Sequence, residues 1–267
     1  MQKTILITGS TDGIGLETAK TLISKDHQIV LHGRNPAKLE KTKKTLSQLA
    51  NGKQVDGYLA DLSSMVDVET LAKQITAKYD KLDVLINNAG IFHTPKPITR
   101  DGLDVRFVVN ALAPYLLTQR LLPLMDTSGR VVNLSSAAQS SVDIDALSGR
   151  VKLTDAFNAY AQSKLALTMW SRDMALKLKD QGPAIISVNP GSMLASKMVK
   201  EGFGVEGKDI RIGADILTRA ALAEEFATAS GLYFDNDSGQ FAAPHADALN
   251  PQKTAEIVHT IKVILDL

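Results

Sequence analysis

Thr8-Gly9-Ser10-Thr11-Asp12-Gly13-Ile14-Gly15 follows an aliphatic run at residues 5–7 and precedes an amphipathic stretch that extends to about Lys25. This order predicts a strand, a glycine loop and a helix. Glycines let such a loop turn tightly and let a pyrophosphate approach the backbone, while the free N–H groups at the helix N-terminus stabilise its charge. The Gly-x3-Gly-x-Gly spacing differs from the common G-x-G-x-x-G fingerprint, so a plain glycine-rich turn stays open as an alternative.

The alternation of short β-rich runs with longer amphipathic stretches continues along the chain. Strands are predicted at residues 5–7, 28–32, 55–59, 82–86, 130–134, 184–188 and 231–234. Helices are predicted at about 13–25, 35–49, 66–79, 102–125, 156–179 and 251–267. This pattern predicts an α/β fold of three layers, a doubly wound Rossmann architecture with a seven-stranded parallel sheet.

No polar linker or internal repeat divides the sequence, so we expect residues 1–267 to form a single dinucleotide-binding domain. Residues 190–230 are expected to contain a substrate loop. Within this segment, residues 202–213 carry four glycines and form either a lid over the site or an ordinary connection.

The composition argues against several classes of function. The formal net charge is +1, which gives no indication of binding to nucleic acid or to a membrane surface. Cysteine is absent, which excludes disulfides, thiolate metal sites and a cysteine nucleophile. The five histidines do not pair at ligand spacing, so no metal site is predicted. Because no apolar stretch reaches membrane-spanning length, we expect a soluble, cytoplasmic protein.

The end of the second predicted strand bears on the choice of cofactor. An acidic residue there would accept hydrogen bonds from the adenosine ribose and indicate NAD(H). This chain has Gly33 followed by Arg34, whose guanidinium suits a 2′-phosphate by charge and shape, so NADP(H) is favoured over NAD(H). The alternative is that Arg34 is a solvated surface residue. The lysines between 38 and 44 are expected to form the solvated face of the next helix.

Asp61, after the third strand, either accepts from the adenine amine or caps the next helix.

Tyr160 and Lys164 are four residues apart on a predicted helix, which puts both side chains on one face. A tyrosine hydroxyl has a pKa of about 10, and a nearby ammonium group favours the phenolate. We therefore expect Lys164, together with a positive nicotinamide ring, to lower the pKa of Tyr160 towards neutrality, where it serves as a general acid or base. Considered alone, the Tyr-x3-Lys pattern also arises by chance on solvated helix faces.

Other polar and glycine residues follow strands whose carboxyl ends lie at one edge of such a sheet, where ligands bind. Asn87-Asn88-Ala89-Gly90 follows the fourth strand, Ser136 ends the fifth, and Asn189-Pro190-Gly191 follows the sixth. Asn110 lies in the long helix after the fourth strand. The pattern therefore predicts one composite site along this edge.

Together these motifs resemble the short-chain dehydrogenases/reductases in their small single-domain form, across essentially the whole chain. The resemblance rests on Thr8-Gly9-x3-Gly13-x-Gly15, Asp61, Asn87-Asn88-Ala89-Gly90, Asn110, Ser136, Tyr160-x3-Lys164 and Pro190-Gly191, in the family's order. The ending Ser230-Gly231-Leu232-Tyr233-Phe234, before Pro244 and a terminal helix, looks like the retinol-dehydrogenase-like branch. The resemblance implies hydride transfer between the nicotinamide cofactor and the carbonyl or alcohol carbon of a small substrate. Met193, Met198 and Leu194 either form an apolar substrate wall, which suits an apolar carbonyl compound, or belong to the core.

The resemblance also implies a role for each site residue. Tyr160 would be the proton donor in reduction and the base in oxidation, and Lys164 would bind the nicotinamide ribose. Ser136, rather than Ser135, would hold the substrate oxygen, and Asn110 would anchor a water that connects Lys164 to solvent. The residues expected to contact the cofactor are Gly9, Ser10, Thr11, Asp12, Gly13, Ile14, Gly15, Arg34, Asp61, Leu62, Asn88, Ala89, Gly90, Tyr160, Lys164, Pro190, Gly191 and Met193.

One position departs from the family pattern. Ala195 stands where the family usually has a Thr or Ser that holds the nicotinamide carboxamide. Either Ser196 substitutes through a shifted loop, or cofactor affinity is weaker than usual.

Two other functions stay open at this point. A non-catalytic NADP(H)-binding redox sensor is the main alternative, although relatives without activity would be expected to lose Tyr160 or Lys164, and both are present. A sugar-nucleotide epimerase is a third hypothesis, disfavoured by the glycine spacing. Family members often pair through the helices that hold Asn110 and Tyr160, so a homodimer or homotetramer is compatible with the pattern.

Overall fold

The central strand β1 (Thr4–Ile7) is buried from Ile5 onwards, as expected for a strand covered on both faces. It pairs in parallel with β2 (Gln28–Gly33) on one side and with β4 (Val84–Asn87) on the other. β3 (Asp56–Leu59) lies beyond β2, so the chain order reverses between β1 and β4. Such a reversal opens a crevice at the carboxyl ends of the strands, which is where ligands bind in these sheets.

The computed structural model describes residues 1–50 and 54–267. The further strands are β5 (Arg130–Leu134), β6 (Ala184–Asn189), β7 (Tyr233–Asp235) and β8 (Gln240–Ala242). The helices are α1 (Gly13–Ser24), α2 (Pro36–Leu49), α3 (Met65–Lys78), α4 (Val105–Phe107), α5 (Ala113–Leu121), α6 (Ile144–Leu147), α7 (Ala156–Leu178), α8 (Lys197–Phe203), α9 (Arg211–Leu222) and α10 (Pro251–Ile264).

The sheet differs from the predicted one by an extra strand. In the described part of the chain it has eight strands in the order β3-β2-β1-β4-β5-β6-β7-β8, and β8 runs antiparallel to β7. β8 has three residues at the edge of the sheet and follows a polar turn that ends at Gly239, which has a φ of 72°. A strand of three residues is too short to form the β-rich run that would predict it from the sequence.

The three-layer architecture is confirmed, since helices cover both faces of the sheet. One apolar core lies under α1, α2 and α9, and the other lies under α3, α5, α7 and α10. The first core contains Ile5 and Ile7 of β1, whereas the second contains Leu6, because successive side chains of a strand point to opposite faces.

The predicted continuous helix over residues 102–125 is interrupted. It begins at α4, passes through a π-helical turn at Val108–Leu112 and continues as α5. Pro114 has no N–H group, so it cannot donate to the carbonyl of Asn110 four residues earlier, and the turn widens there. The π-helical turn therefore contains Asn110, which the sequence pattern predicted to belong to the site.

Residues 190–230 contain two helices that the sequence analysis did not predict. Ser196 caps α8, its hydroxyl accepting from the N–H of Val199 at 3.2 Å, and Gly204 ends the helix in the left-handed conformation. α9 follows and packs against α1. The four glycines between 202 and 213 obscured this helical pattern.

The segment that leads into the π turn depends on a buried ion pair. The Asp104 carboxylate caps α4 and accepts from the Arg106 guanidinium, with an Nε–Oδ1 distance of 2.8 Å. The two side chains are only 6% and 4% exposed. We expect Asp104→Asn to lower the free energy of unfolding by about 3–5 kcal/mol, because it leaves a buried guanidinium without its anion.

Urea denaturation followed by circular dichroism measures this loss. The matched control is Asp145→Asn, which removes the exposed ion pair with Arg150 and should change stability by less than about 1 kcal/mol. Equal losses in the two variants would contradict a stabilising role for the buried pair.

Candidate active site

The glycine loop between β1 and α1 is a tight turn that leads directly into the helix. Gly9 and Gly13 have φ values of 65° and 58°, which favour glycine, and the Asp12 side chain caps α1 by accepting from Gly13 N–H at 2.9 Å. A Cβ at Gly15 would lie 2.5 Å from the carbonyl oxygen of Gly9. The free N–H groups of the first turn of α1 therefore lie at a tightly packed loop that suits an anion.

The segment after β4 is bonded to this loop. The Asn88 amide donates to the carbonyls of Thr8 and Gly9 at 2.8 and 3.2 Å, and the Ala89 N–H donates to the Thr8 hydroxyl at 3.0 Å. A Cβ at Gly9 would lie 3.0 Å from the Cα of Ala89. Asn88 and Ala89 thus hold the glycine loop against the adjacent strand end.

A cavity of about 850 Å³ extends along the carboxyl ends of β1 to β6. Its lining includes these predicted residues: Gly9, Thr11, Asp12, Gly13, Ile14, Arg34, Asp61, Leu62, Asn88, Ala89, Gly90, Ser136, Tyr160, Lys164, Pro190, Gly191 and Met193. Ser10, Gly15 and Asn110 lie behind the wall and are buried. Ser10 exchanges backbone and hydroxyl hydrogen bonds with His32, a residue that the sequence analysis left without a role.

One end of the cavity is basic. Arg34 is exposed there, between β2 and α2, and Lys38 lies in the first turn of α2, with its ammonium group 2.8 Å from the Asp12 carboxylate. The hydrogen bond from Lys38 holds the pKa of Asp12 below its usual range. Lys38, expected from the sequence to be a solvated residue, therefore lines the cavity together with Arg34.

Asp61 does not cap the following helix. Its carboxylate accepts from the N–H and hydroxyl of Ser63 at 2.9 and 2.8 Å, whereas Ser64 is the residue that caps α3. The capping alternative for Asp61 is therefore wrong. Asp61 instead shapes the turn after β3, where it lines the cavity together with Leu62.

The other end of the cavity contains Ser136, Tyr160 and Lys164. Tyr160 is half-buried, and the Ser136 hydroxyl, which accepts from Ala138 N–H at 3.1 Å, lines the same end of the cavity. Ser135 is buried, and its hydroxyl is 2.7 Å from that of Thr168. These contacts favour Ser136 over Ser135 as the serine that faces a substrate.

The ionisation of this group differs from the sequence-based expectation. Burial raises the pKa of Tyr160, and the hydrogen bond with Ser136 acts in the opposite direction. Lys164 donates to the Leu134 carbonyl at 2.7 Å and lies 5.7 Å from the centre of the Tyr160 ring, and burial lowers its pKa to about 7. Burial therefore keeps the tyrosine protonated at neutral pH and able to donate.

Asn110 lies in the π turn and joins two parts of the site. Its side-chain oxygen accepts from Ile91 N–H at 2.8 Å, and its amide donates to the Ile91 carbonyl and the Ser163 hydroxyl at 3.0 and 2.9 Å. A Cβ at Gly90 would lie 3.4 Å from this oxygen and 3.5 Å from the Lys164 ammonium. Asn110 therefore positions the backbone beside Lys164.

The loop after β6 is held by the turn between β7 and β8. The Asp237 carboxylate accepts from the Ser192 N–H and hydroxyl at 2.8 and 2.5 Å and from the Asn189 amide at 2.9 Å. Ser196 lines the cavity while its hydroxyl oxygen caps α8. Its O–H can still donate, which the side chain of Ala195 cannot do.

Aromatic and apolar side chains enclose the cavity near Tyr160. The Phe92 ring lies 5.2 Å from the Tyr160 ring and 6.2 Å from the Phe157 ring. Met193 in the loop after β6 and Met198 in α8 extend the same lining. The site therefore combines three polar side chains with an apolar surround.

This arrangement is that of a known family. The family model described as short chain dehydrogenase matches residues 3–204, and the chain belongs to that family, in the branch that includes the retinol dehydrogenases. Human retinol dehydrogenase 13 is 31% identical over 263 residues, which cover 92% of this chain and 80% of that protein. Mouse retinol dehydrogenase 12 is 33% identical over 267 residues, covering 95% and 83%.

Solved structures share the fold. An uncharacterised protein from Mycobacterium paratuberculosis superimposes with a TM-score of 0.81 at 25% identity, over 98% of this chain and 92% of that one. A short chain dehydrogenase from Shigella flexneri complexed with NADP gives 0.68 at 27% identity, over 88% and 96%. One from Escherichia coli complexed with NADPH gives 0.69 at 27% identity, over 88% and 96%.

The described residues contain no helix that is both long and apolar enough to cross a membrane.

Proposed function

We propose that this protein is an NADP(H)-dependent dehydrogenase or reductase that interconverts an alcohol and a carbonyl compound. The observation that carries the proposal is one continuous cavity with Arg34 and Lys38 at its basic end and Ser136, Tyr160 and Lys164 at the other. A dinucleotide needs phosphate binding and chemistry at opposite ends of one cleft.

The chain's residues fit such a cofactor. The glycine loop has the backbone conformation and the helix N-terminus that a pyrophosphate requires, and the close approach of Gly9 to Ala89 excludes any side chain there. The cofactor, when bound, supplies or accepts the hydride. Lys164 holds the nicotinamide ribose, and Asp61 and Leu62 border the adenine.

The preference for NADP(H) rests on the basic end. A Cβ at Gly33 would lie 2.6 Å from a methyl carbon of Thr11, so the acidic side chain that binds an unphosphorylated ribose has no room there. Arg34 and Lys38 instead offer two cations to a 2′-phosphate. The NADP and NADPH complexes of the two related dehydrogenases support the same preference.

The polar residues divide the chemistry between them. The Ser136 hydroxyl holds the substrate oxygen beside Tyr160, and Tyr160 donates its phenolic proton to that oxygen during reduction. The proton is regained through Lys164, whose pKa of about 7 suits exchange near neutrality. Asn110 keeps the adjacent Gly90–Ile91 backbone in place.

The apolar surround indicates a substrate of low polarity. Phe92, Phe157, Met193 and Met198 line the cavity near Tyr160, so a small, mainly apolar aldehyde, ketone or alcohol is the substrate class that we propose.

Four expectations from the sequence remain predictions. They are a single domain over residues 1–267, a substrate loop at 190–230, a cytoplasmic location and a homodimer or homotetramer.

Titration with NADPH and, separately, with NADH, followed by nicotinamide fluorescence, tests the proposal. We expect NADPH to bind more tightly, and oxidation of NADPH to follow when apolar aldehydes and ketones are added. Tighter binding of NADH would overturn the preference for NADP(H) but leave the proposed dehydrogenase or reductase activity in place. Tight NADPH binding without turnover of any carbonyl compound would favour the non-catalytic redox sensor.

A further inference from the structure

His32 lies at the carboxyl end of β2 and is 3% exposed. Its imidazole Nδ1 is 3.0 Å from the N–H nitrogen of Gly9, and its Nε2 is 3.1 Å from the carbonyl oxygen of Ala60. One side chain thus contacts the loop after β1 and the loop after β3. Both loops line the cavity.

The two partners decide which nitrogen of His32 carries the proton. A backbone N–H can only donate and a carbonyl can only accept, so Nδ1 is the acceptor and Nε2 is the donor. Burial lowers the pKa of His32 to about 4, while the Ala60 carbonyl and the Asp61 carboxylate act in the opposite direction. The ring is therefore neutral at pH 7 and matches both partners.

The bonded positions are those that determine the shape of the cofactor cleft. Gly9 is the first glycine of the phosphate loop and has a positive φ. Ala60 directly precedes Asp61 and Leu62, which line the adenine end. The backbone of His32 adds two bonds to Ser10, whose N–H donates to its carbonyl and whose hydroxyl accepts from its N–H, both at 3.0 Å.

We propose that His32 is a positioning residue that fixes the phosphate loop relative to the adenine side of the cleft. This inference rests on the proposed function, because it assigns the purpose of that geometry to cofactor binding. The bond to Gly9 is the decisive one, since it fixes the loop at its first glycine. A large aliphatic side chain would fill the same space but would leave the Gly9 N–H without an acceptor.

Two amide variants separate the two bonds of the ring. In His32→Asn, the side-chain oxygen can take the place of Nδ1 and accept from Gly9 N–H. In His32→Gln, the side-chain amide can reach the place of Nε2 and donate to the Ala60 carbonyl, but Gly9 loses its acceptor. We expect the Kd for NADPH to rise about tenfold or more in His32→Gln and to stay within about threefold of the wild type in His32→Asn.

His27 provides a matched control. Its Nδ1 also accepts from a backbone N–H, that of Lys3 at 3.1 Å, but near the start of β1, away from the cavity. His27→Gln should leave the Kd unchanged. Thermal unfolding of each variant measures general destabilisation. A Kd that rises equally in His32→Asn and His32→Gln, or that only follows the loss of thermal stability, would overturn the inference.

Amide hydrogen exchange at Gly9 in the free protein separates this inference from the proposed function. We expect exchange to be faster in His32→Gln and close to wild type in His32→Asn, whether or not a cofactor is added. Unchanged exchange in His32→Gln would overturn the positioning role. If exchange at Gly9 is altered in His32→Gln but the wild type binds neither NADPH nor NADH, the contact between His32 and the loop would stand. Its role in cofactor binding, and the proposed function, would be overturned.

Discussion

Replacing Tyr160 with phenylalanine is expected to lower kcat for carbonyl reduction by about 10²- to 10⁴-fold, the contribution of a positioned general acid. The substitution removes only the phenolic hydroxyl, whose pKa the neighbouring Ser136 lowers. The ring can keep its packing against Phe92, which lies 5.2 Å away. The Kd for NADPH should therefore stay within about threefold of the wild type.

Steady-state rates and a separate fluorescence titration of NADPH distinguish loss of chemistry from loss of binding. Tyr115→Phe is the matched control, because it also removes a phenolic hydroxyl, one bonded to Gln119 and remote from the cavity. That variant should keep its normal rate. A nearly normal rate in Tyr160→Phe would rule out Tyr160 as the proton donor.

Replacing Arg34 with alanine is expected to raise the Kd for NADPH by about 10- to 100-fold and to change the Kd for NADH by less than about threefold. Losing a charge-assisted hydrogen bond to a phosphate has an effect of that size. NADH has no 2′-phosphate, so it makes no such bond with Arg34 and should bind the variant almost as well as the wild type. Lys38→Ala should act in the same direction but more weakly, because Lys38 must first leave its ion pair with Asp12.

The titrations should be repeated at two salt concentrations, because the contribution of exposed charges falls as salt rises. Arg100→Ala removes an exposed arginine that does not line the cavity and serves as the control. Arg34→Lys keeps the charge without the planar fork and should give an intermediate Kd. Equal losses for NADPH and NADH in Arg34→Ala would remove Arg34 from the 2′-phosphate site.

The alternation of strands and helices and the main site motifs could be predicted from the sequence because their signals are local. Gly9 and Gly13 do adopt the left-handed conformation that the glycine loop requires. Tyr160 and Lys164 share one cavity wall, as their helical spacing predicted. Pro114 was also a local signal, and the interruption of the long helix should have been predicted from it.

Properties that depend on long-range contacts could not be predicted in this way. Burial raises the pKa of Tyr160, opposite to the expected direction, and Lys164 donates to the carbonyl of Leu134, which lies 30 positions away. These outcomes depend on which distant segments pack around Tyr160 and Lys164, and the hydrophobic periodicity of the sequence carries no information on that.

The sequence by itself determined the alternation of strands and helices, the phosphate loop and the residue types of the site, since each depends on neighbours within a few positions. Only the tertiary structure decided how these parts are held together. The bonds from His32 to Gly9, from Lys38 to Asp12 and from Ser192 to Asp237 join residues that are 23, 26 and 45 positions apart. The physical reason is that such bonds form when folding brings the strand ends to one edge of the sheet.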